Sequence, residues 1–324
     1  MTPRSGVTRR TALAATLGGL AAPALAQART VTIIVPWAPG GTTDILARIL
    51  AEPLRRATGQ NFVVENRSGA SGNVGSAAVA RARPDGATLL FGSMSTHAMN
   101  PALMRDMPFD GVEDFAPVAL LAFALNTMVV HPSVPATDVA GFIAHAKANP
   151  GRIAYASAGP GSTNHICAAM FARMAGLEMT HVPYRGGAPA VADTVAGQTQ
   201  LFFSAATQTL PHVQAGRLRL LGVTEARRSA LLPGVPTVGE TVPGYEMTVW
   251  YGVLGPRGMA PELVAALNAE INRAAALPEV RDRLAAMGVE VLSETPEGFA
   301  RVLRSDAERW TRAIREMGIA MGEG

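Results

Sequence analysis

Short apolar runs of strand length alternate with amphipathic stretches of helix length along most of the chain. Thr30–Val35 is a β-branched apolar run, and Asp44–Ala57 places Ile45, Ile49 and Leu50 on one face of a helix. The same succession recurs in the middle of the chain. Repeated strand–helix–strand units predict mainly parallel sheets with helices on both faces, so the expected fold class is α/β.

The alternation falls into two blocks, which we predict to be two lobes. The first block comprises residues 29–125, and the second comprises residues 126–249. A further strand and several helices follow, and they can complete the first block. We therefore predict a first lobe built from residues 29–125 and 250–324, and a second lobe built from residues 126–249.

The N-terminal segment has the pattern of an export signal. Three arginines precede a short run of small apolar residues, and two overlapping A-x-A cleavage sequences end that run. We predict a signal peptide over residues 1–28, cleaved near Ala26 or Ala28, and a periplasmic mature protein. The Arg9-Arg10 pair resembles a twin-arginine signal, so both that route and the general secretory route stay open.

The basic charge of the whole chain is concentrated at its N-terminus. The sequence has 28 basic and 25 acidic residues, and three of the basic ones, Arg4, Arg9 and Arg10, lie within residues 1–28, where there is no acidic residue. Without those three arginines the two signs balance. Nucleic-acid binding requires a cluster of surplus cations, so we exclude nucleic acid as a partner.

The sequence has a single lysine and a single cysteine, and each limits the kinds of site that the chain can form. Lys147 is the only lysine, and it does not lie in a phosphate-binding G-x-x-x-x-G-K sequence. Cys167 is the only cysteine, which excludes an intrachain disulfide and a cysteine-rich metal site. We predict neither a cofactor nor a metal.

The common catalytic motifs G-x-S-x-G and H-E-x-x-H do not occur in the sequence. We therefore predict that the chain is not an enzyme. One alternative stays open, because Ser162, His165 and Asp193 are the residue types of a Ser-His-Asp hydrolase. The sequence itself gives no support for that geometry.

Several turns rich in glycine and hydroxyl residues follow predicted strands. Gly40–Asp44, Gly161–Asn164 and Arg185–Ala188 each open a predicted helix, and Ser93 and Ser95 mark a weaker fourth turn. Glycines let backbone N–H groups approach a ligand, and the first helical turn has unpaired N–H donors at the positive end of the dipole. This pattern predicts a carboxylate site that needs no metal and no basic side chain.

The predicted ligand-binding residues come from these turns and from the end of one further strand. They are Gly40, Gly41, Thr42, Thr43, Asp44, Ser93, Ser95, Gly161, Ser162, Thr163, Asn164, Arg185, Gly186, Gly187, Ala188 and Ser204. Ligands of open α/β sheets bind at the carboxyl ends of strands, where these turns lie. The alternative is that such residues only cap helices; Asp44 in particular could cap its helix, orient the loop or contact the ligand.

Eight sequence blocks in a fixed order run along the chain. They are Pro36–Asp44, Val64–Gly72, Pro84–Leu90, Tyr155–Ser162, His181–Ala190, Arg228–Ser229, Leu232–Val238 and Trp250–Gly252. Together they resemble the receptors of the tripartite tricarboxylate transporter family, the Bug proteins of bacterial periplasms. The resemblance implies a type II-like periplasmic binding protein with two lobes, each a mainly parallel sheet flanked by helices.

The same resemblance implies a function. A small carboxylate (a di- or tricarboxylate, an amino acid or an aromatic acid) would be held between the closing lobes by backbone amides, hydroxyls and ordered waters, for uptake or sensing. An inner-membrane permease of the tripartite type would be a further partner, and the receptor would be a monomer. Backbone donors do not encode the identity of a ligand, so the sequence leaves that identity open.

Overall fold

The computed structural model describes residues 30–104 and 106–318, so the predicted signal peptide lies outside the described residues. The strands in the described part of the chain are β1 (Thr30–Val35), β2 (Asn61–Asn66), β3 (Thr88–Ser93), β4 (Phe115–Ala124), β5 (Asn126–Val130), β6 (Ile153–Ser157), β7 (Met179–Pro183), β8 (Leu201–Ala205), β9 (Arg219–Val223), β10 (Val249–Pro256) and β11 (Val289–Val291). They form a six-stranded sheet of order β11-β4-β10-β3-β1-β2 and a five-stranded sheet of order β7-β6-β8-β5-β9.

Helices pack against both sheets. They are α1 (Thr42–Thr58), α2 (Asn73–Ala80), α3 (Asn100–Leu103), α4 (Val139–Ala148), α5 (Thr163–Ala175), α6 (Gly187–Val195), α7 (Ala206–Gln214), α8 (Pro261–Ala275), α9 (Pro278–Ala286) and α10 (Pro296–Glu316). Helices α1, α2, α8 and α10 contact the first sheet, and α5, α6 and α7 contact the second. None of the helices in the described residues is long and apolar enough to cross a membrane.

The first sheet with its helices is called the first lobe below, and the second sheet with its helices the second lobe. Strand β10 pairs with β3 and β4, so the chain returns to the first sheet after building the second. The lobe boundaries at residues 126 and 249 stay a prediction.

Each sheet is mixed, which corrects the expectation of mainly parallel sheets. In the first sheet β1 runs parallel to β2 and β3, whereas β10 runs antiparallel to β3 and β4. In the second sheet β6 runs parallel to β7 and β8, whereas β5 runs antiparallel to β8 and β9. Strand β5 follows β4 of the opposite sheet after one residue, and β10 follows β9 of the opposite sheet through a connection without an α-helix. The parallel βαβ rule therefore does not set the direction of either strand.

Several elements differ from the sequence pattern, among them the short α3 and β11, which the pattern does not predict. Helix α1 runs through Pro53, although a proline inside a helix was expected to kink or end it. Helix α7, which contains Pro211, and strand β4 are not predicted by the pattern. Strand β4 lacks a regular alternation of apolar and polar residues because nearly its whole length is buried in the sheet.

One apolar core extends through both sheets. In the first lobe Trp250 is fully buried, packs edge-on against Phe299 of α10, and donates a hydrogen bond from Nε1 to the Asp306 carboxylate at 2.8 Å. In the second lobe Phe171, Phe203 and Tyr245 form a ring cluster. This packing fixes the strand ends from which the cavity residues project.

Candidate functional site

A cavity of about 40 Å³ lies between the two lobes. Its lining residues come from both sheets: Trp37, Gly41, Thr42, Thr43, Ser93, Ser95, Ala158, Ser162, Thr163, Asn164, Gly187, Ser204, Ala205, Gln208 and Tyr251. One water needs roughly 10–15 Å³, so the cavity holds more than a single water in this conformation. None of these lining residues carries a charged side chain.

Four helices point their N-termini at this cavity. Thr42 and Thr43 begin α1, Thr163 begins α5, and Gly187 begins α6, while Gln208 lies in the first turn of α7. In the described part of the chain, no side chain caps the N-termini of α1, α6 and α7. The uncapped first turns of α1, α6 and α7 and the positive ends of four helix dipoles therefore face one small space, which favours an anion.

The turn before α1, residues 36–44, is held by the carboxylate of Asp44. One oxygen accepts from the Gly40 backbone N–H at 3.0 Å. The other accepts from Arg48 Nε and from Asn66 Nδ2, both at 2.9 Å. Burial raises the pKa of Asp44, but these hydrogen bonds outweigh it and hold the pKa below 3.8. Asp44 thus orients the turn and does not line the cavity.

The turn before α5, residues 157–164, is held by neutral groups. Ser162 Oγ accepts from the His165 N–H at 3.3 Å and donates to the Gly159 carbonyl at 2.6 Å. His165 Nδ1 accepts from the Gly161 N–H at 3.2 Å, so this nitrogen is unprotonated. Ser157 Oγ pairs with His181 Nε2 at 2.6 Å.

Three stacked rings lie behind this second turn. The ring centroids of His165 and His181 are 4.2 Å apart, and those of His181 and Tyr155 are 5.0 Å apart. Burial lowers the pKa of both histidines to about 4, helped for His165 by the repulsion of a second positive charge on His181. The stack is therefore uncharged at neutral pH.

Direct hydrogen bonds join the lobes around the cavity. Thr42 Oγ1 lies 2.9 Å from Thr207 Oγ1, and the Thr163 N–H donates to Ser95 Oγ at 2.8 Å. At the rim, Ser71 Oγ donates to the Pro160 carbonyl. The structure therefore shows the lobes closed onto each other.

Ten of the sixteen predicted site residues line the cavity: Gly41, Thr42, Thr43, Ser93, Ser95, Ser162, Thr163, Asn164, Gly187 and Ser204. The other six do not. Arg185 is exposed, and Gly161 and Asp44 hold their turns as described above. The remaining three, Gly40, Gly186 and Ala188, lie where the lobes touch: a Cβ added to Gly186 would lie 3.0 Å from Ala38 Cβ, and one added to Gly40 would lie 3.5 Å from Ala188 Cβ.

Five cavity residues were not predicted: Trp37, Ala158, Ala205, Gln208 and Tyr251. Trp37 and Tyr251 belong to sequence blocks that carry the family resemblance, so a signal for them existed. Gln208 had no such signal, because Pro211 concealed α7 and no glycine-rich turn precedes it. Burial raises the pKa of Tyr251, so its hydroxyl stays protonated and can donate.

The hydrolase alternative finds no support in this geometry. A triad would need His165 to accept a proton from Ser162 Oγ, but that hydroxyl donates to the Gly159 carbonyl. Asp193 interacts with the Tyr184 hydroxyl instead of with His165. The three residues form no relay.

Comparisons with known proteins show the fold and the family of this chain. The model of the tripartite tricarboxylate transporter family receptor matches residues 46–319. The solved structure of R. palustris Rpa4515 with adipate is 37% identical and superposes with a TM-score of 0.87, covering 90% of this chain and 98% of that one. The periplasmic binding protein BugD is 30% identical, with a TM-score of 0.86 over 90% of this chain and 98% of that one.

A further structure, MatC from Rhodopseudomonas palustris with bound malate, is 31% identical and has a TM-score of 0.84, covering 88% of this chain and 99% of that one. These likenesses confirm the predicted two-sheet α/β fold of a periplasmic binding protein.

Proposed function

This chain belongs to the tripartite tricarboxylate transporter family of receptors, and we propose that it captures a small carboxylate in the cavity between its two lobes. Rpa4515 and MatC, which share the fold and about a third of the sequence, were solved with adipate and with malate. Both of those ligands are dicarboxylates, which supports a carboxylate ligand here.

The convergence of four helix N-termini on one cavity carries the proposal. A lone helix N-terminus is explained by capping, but α1 comes from the first lobe and α5, α6 and α7 from the second. Their combined donors match an anion without any cationic side chain. A ligand bound there contacts both lobes, so binding favours the closed arrangement.

The expected hydrogen-bond energies are sufficient for micromolar binding of a carboxylate. A hydrogen bond to a charged group contributes about 1.5–3 kcal/mol, and micromolar affinity needs roughly 8 kcal/mol net. Four to six such bonds supply this after the entropy of association is deducted, since the lobes share them. The hydroxyls of Ser93 and Ser204 line the cavity beside the backbone donors.

The wider role follows the family. We propose that residues 1–28 are a signal peptide cleaved near Ala26 or Ala28, that the mature receptor is a periplasmic monomer, and that it delivers its ligand to a tripartite-type permease of the inner membrane or reports it to a sensor. The match to a transporter family receptor supports this role. A ligand-binding role without catalysis is part of the same proposal.

Calorimetry and thermal unfolding of the mature protein with a panel of carboxylates test the function. At least one carboxylate should raise the melting temperature in a saturable way and remain chemically unchanged. Thr42→Ala combined with Ser162→Ala should weaken its binding at least about tenfold, since two groups at the cavity wall are lost.

The matched control is Thr241→Ala combined with Ser293→Ala, which removes the same two hydroxyl types from exposed positions. This control should bind as the wild type does. Unchanged affinity in the Thr42/Ser162 variant would show that the ligand binds elsewhere, and conversion of the carboxylate to a product would show an enzyme.

A further inference from the structure

Gln208 places a buried hydrogen-bond acceptor in the wall of a cavity that is otherwise rich in donors. It is the third residue of α7, and it lies beside Thr42, Ser204 and Gly187 in the cavity wall. Its Nε2 donates to Thr42 Oγ1 at 3.0 Å and to Ser204 Oγ at 3.2 Å, which uses both amide hydrogens. The orientation of the amide is therefore set by one hydroxyl from each lobe.

Among the described residues, the amide oxygen Oε1 has no hydrogen-bond partner, and it is buried. It faces Gly187, where an added Cβ would meet this oxygen and would lie 2.7 Å from Nε2. Gly187 thus leaves the space in which the amide sits. A buried acceptor without a donor is unfavourable, so a guest that supplies a donor is favoured over one that does not.

We propose that the ligand is a carboxylate that also carries a hydrogen-bond donor, a hydroxyl or an ammonium group, and that Gln208 Oε1 reads this donor. The proposal deepens the proposed function and rests on it. The helix N-termini bind the carboxylate, whereas Gln208 distinguishes a hydroxy or amino acid from the plain acid. The Thr42 contact ties this discrimination to closure, because it exists only with the lobes together.

Calorimetry with paired probes tests the proposal: succinate with malate and aspartate, glutarate with 2-hydroxyglutarate, and propionate with lactate. In every pair that binds, the member with the added donor should bind the wild type about 10- to 100-fold more tightly. Gln208→Met keeps the length of the side chain and removes the acceptor, so it should reduce that ratio to near one.

Gln214→Met is the matched control, because Gln214 lies on the same helix and is exposed. It should keep the wild-type ratio. Gly187→Ala gives an independent test without touching the glutamine: its methyl group displaces the amide, and the ratio should again fall. Melting temperatures of the variants, measured without ligand, identify any variant that fails to fold. If Gln208→Met fails to fold, the binding ratio of Gly187→Ala decides the proposal.

The possible results separate this proposal from the function. Equal binding of plain and donor-bearing acids by the wild type, or preference for the plain acid, would overturn the proposal and leave carboxylate capture standing. A preference for the plain acid would mean that the Gln208 amide presents its NH₂ group, not its oxygen, to the cavity. If Gln208→Met and Gly187→Ala both keep the wild-type affinity ratio, another residue distinguishes the ligands and the proposal is overturned. If the protein binds no carboxylate, the proposed function is overturned as well.

Discussion

The turns before α1 and α5 have the same local design but are held in opposite ways. Both follow a strand, contain glycines with positive φ (Gly40 at 80° and Gly161 at 80°), and direct a helix N-terminus at the cavity. The first is fixed by the ionised Asp44, which is neutralised by Arg48. The second is fixed by neutral imidazoles and hydroxyls.

This difference has an electrostatic reason. A negative charge near an anion site raises the cost of binding, and the Arg48 partner at 2.9 Å limits that cost in the first turn. The second turn avoids the problem because it contains no charge at neutral pH. The comparison teaches that backbone geometry, and not the charge of the supporting side chain, is what the two turns share.

The largest losses of stability and affinity are expected from substituting Asp44, the charged residue that holds the turn before α1. Asp44→Ala leaves the Gly40 N–H and the Arg48 guanidinium without a partner, and we expect a loss of about 2–4 kcal/mol in the free energy of unfolding. Carboxylate affinity should fall by about 100-fold, as the turn loses its orientation. Chemical denaturation and calorimetry measure these two quantities.

Asp44→Asn serves as the control for shape, since an amide oxygen can still accept from Gly40. It should lose roughly tenfold in affinity. If the alanine variant binds as tightly as the wild type, the turn is held by its glycines alone and the comparison fails.

As the pH falls, the first loss of stability should come from the turn before α5, which is held by neutral groups. His165 has a pKa of about 4 in the folded protein and an ordinary value of 6.5. Between these values the unfolded chain binds more protons, so stability falls as the pH falls from 6.5 to about 4. We expect a loss of about 3 kcal/mol from this residue. Asp44 should lose its contribution only below pH 3.8, because its folded pKa is lower still.

Urea unfolding of the wild type and of His165→Asn across this pH range measures the contribution. Asparagine can accept from the Gly161 N–H but does not titrate, so the slope between pH 6.5 and 4 should become shallower. Parallel slopes for the two proteins would mean that the second turn is not the acid-sensitive one.

Glu225 provides a titration of opposite sign. It lies where β9 leads out of the second sheet. Its Oε1 accepts from the Asn126 N–H at 2.8 Å, and its buried Oε2 has no hydrogen-bond partner within residues 30–104 and 106–318. Burial raises the pKa of Glu225 to about 7, against an ordinary value of 4.5. Here the folded protein binds more protons between pH 4.5 and 7, so stability falls as the pH rises through that range.

Glu225→Gln should therefore stabilise the protein by about 3 kcal/mol at pH 8 and have little effect at pH 4.5. Removing this opposing titration also exposes the acid response of the second turn more clearly. Differential scanning calorimetry at the two pH values measures the change, and a variant that is equally affected at both would contradict the assigned titration.

The smallest effect is expected at Cys167, on the helix that the second turn opens. Its thiol is fully buried, accepts from Asn126 Nδ2 at 3.1 Å and has a pKa raised by burial to about 12, so it is unreactive. Cys167→Ser should leave carboxylate affinity within about twofold of the wild type and cost no more than about 1–2 kcal/mol of stability. A collapse of affinity would mean that the second turn is supported from the core behind it.

The sequence alone determined the local parts of this protein. Glycines at the ends of apolar strands require turns with positive φ, and the turns at Gly40–Asp44 and Gly161–Asn164 open helices as expected. These features depend on neighbouring residues, which is why the pattern showed them. The ordered blocks along the chain also gave the family and the α/β binding-protein fold.

Tertiary structure alone decided what the turns meet. Gln208 and Tyr251 line the cavity from separate elements, and the Asp44 carboxylate accepts a hydrogen bond from Asn66 at the end of β2. Strands β5 and β10 run antiparallel to their neighbours. Periodicity records which face of a strand or helix is apolar, but it holds no information about which distant element covers that face. The cavity is a property of the two lobes packed together, so no segment of the sequence contains it.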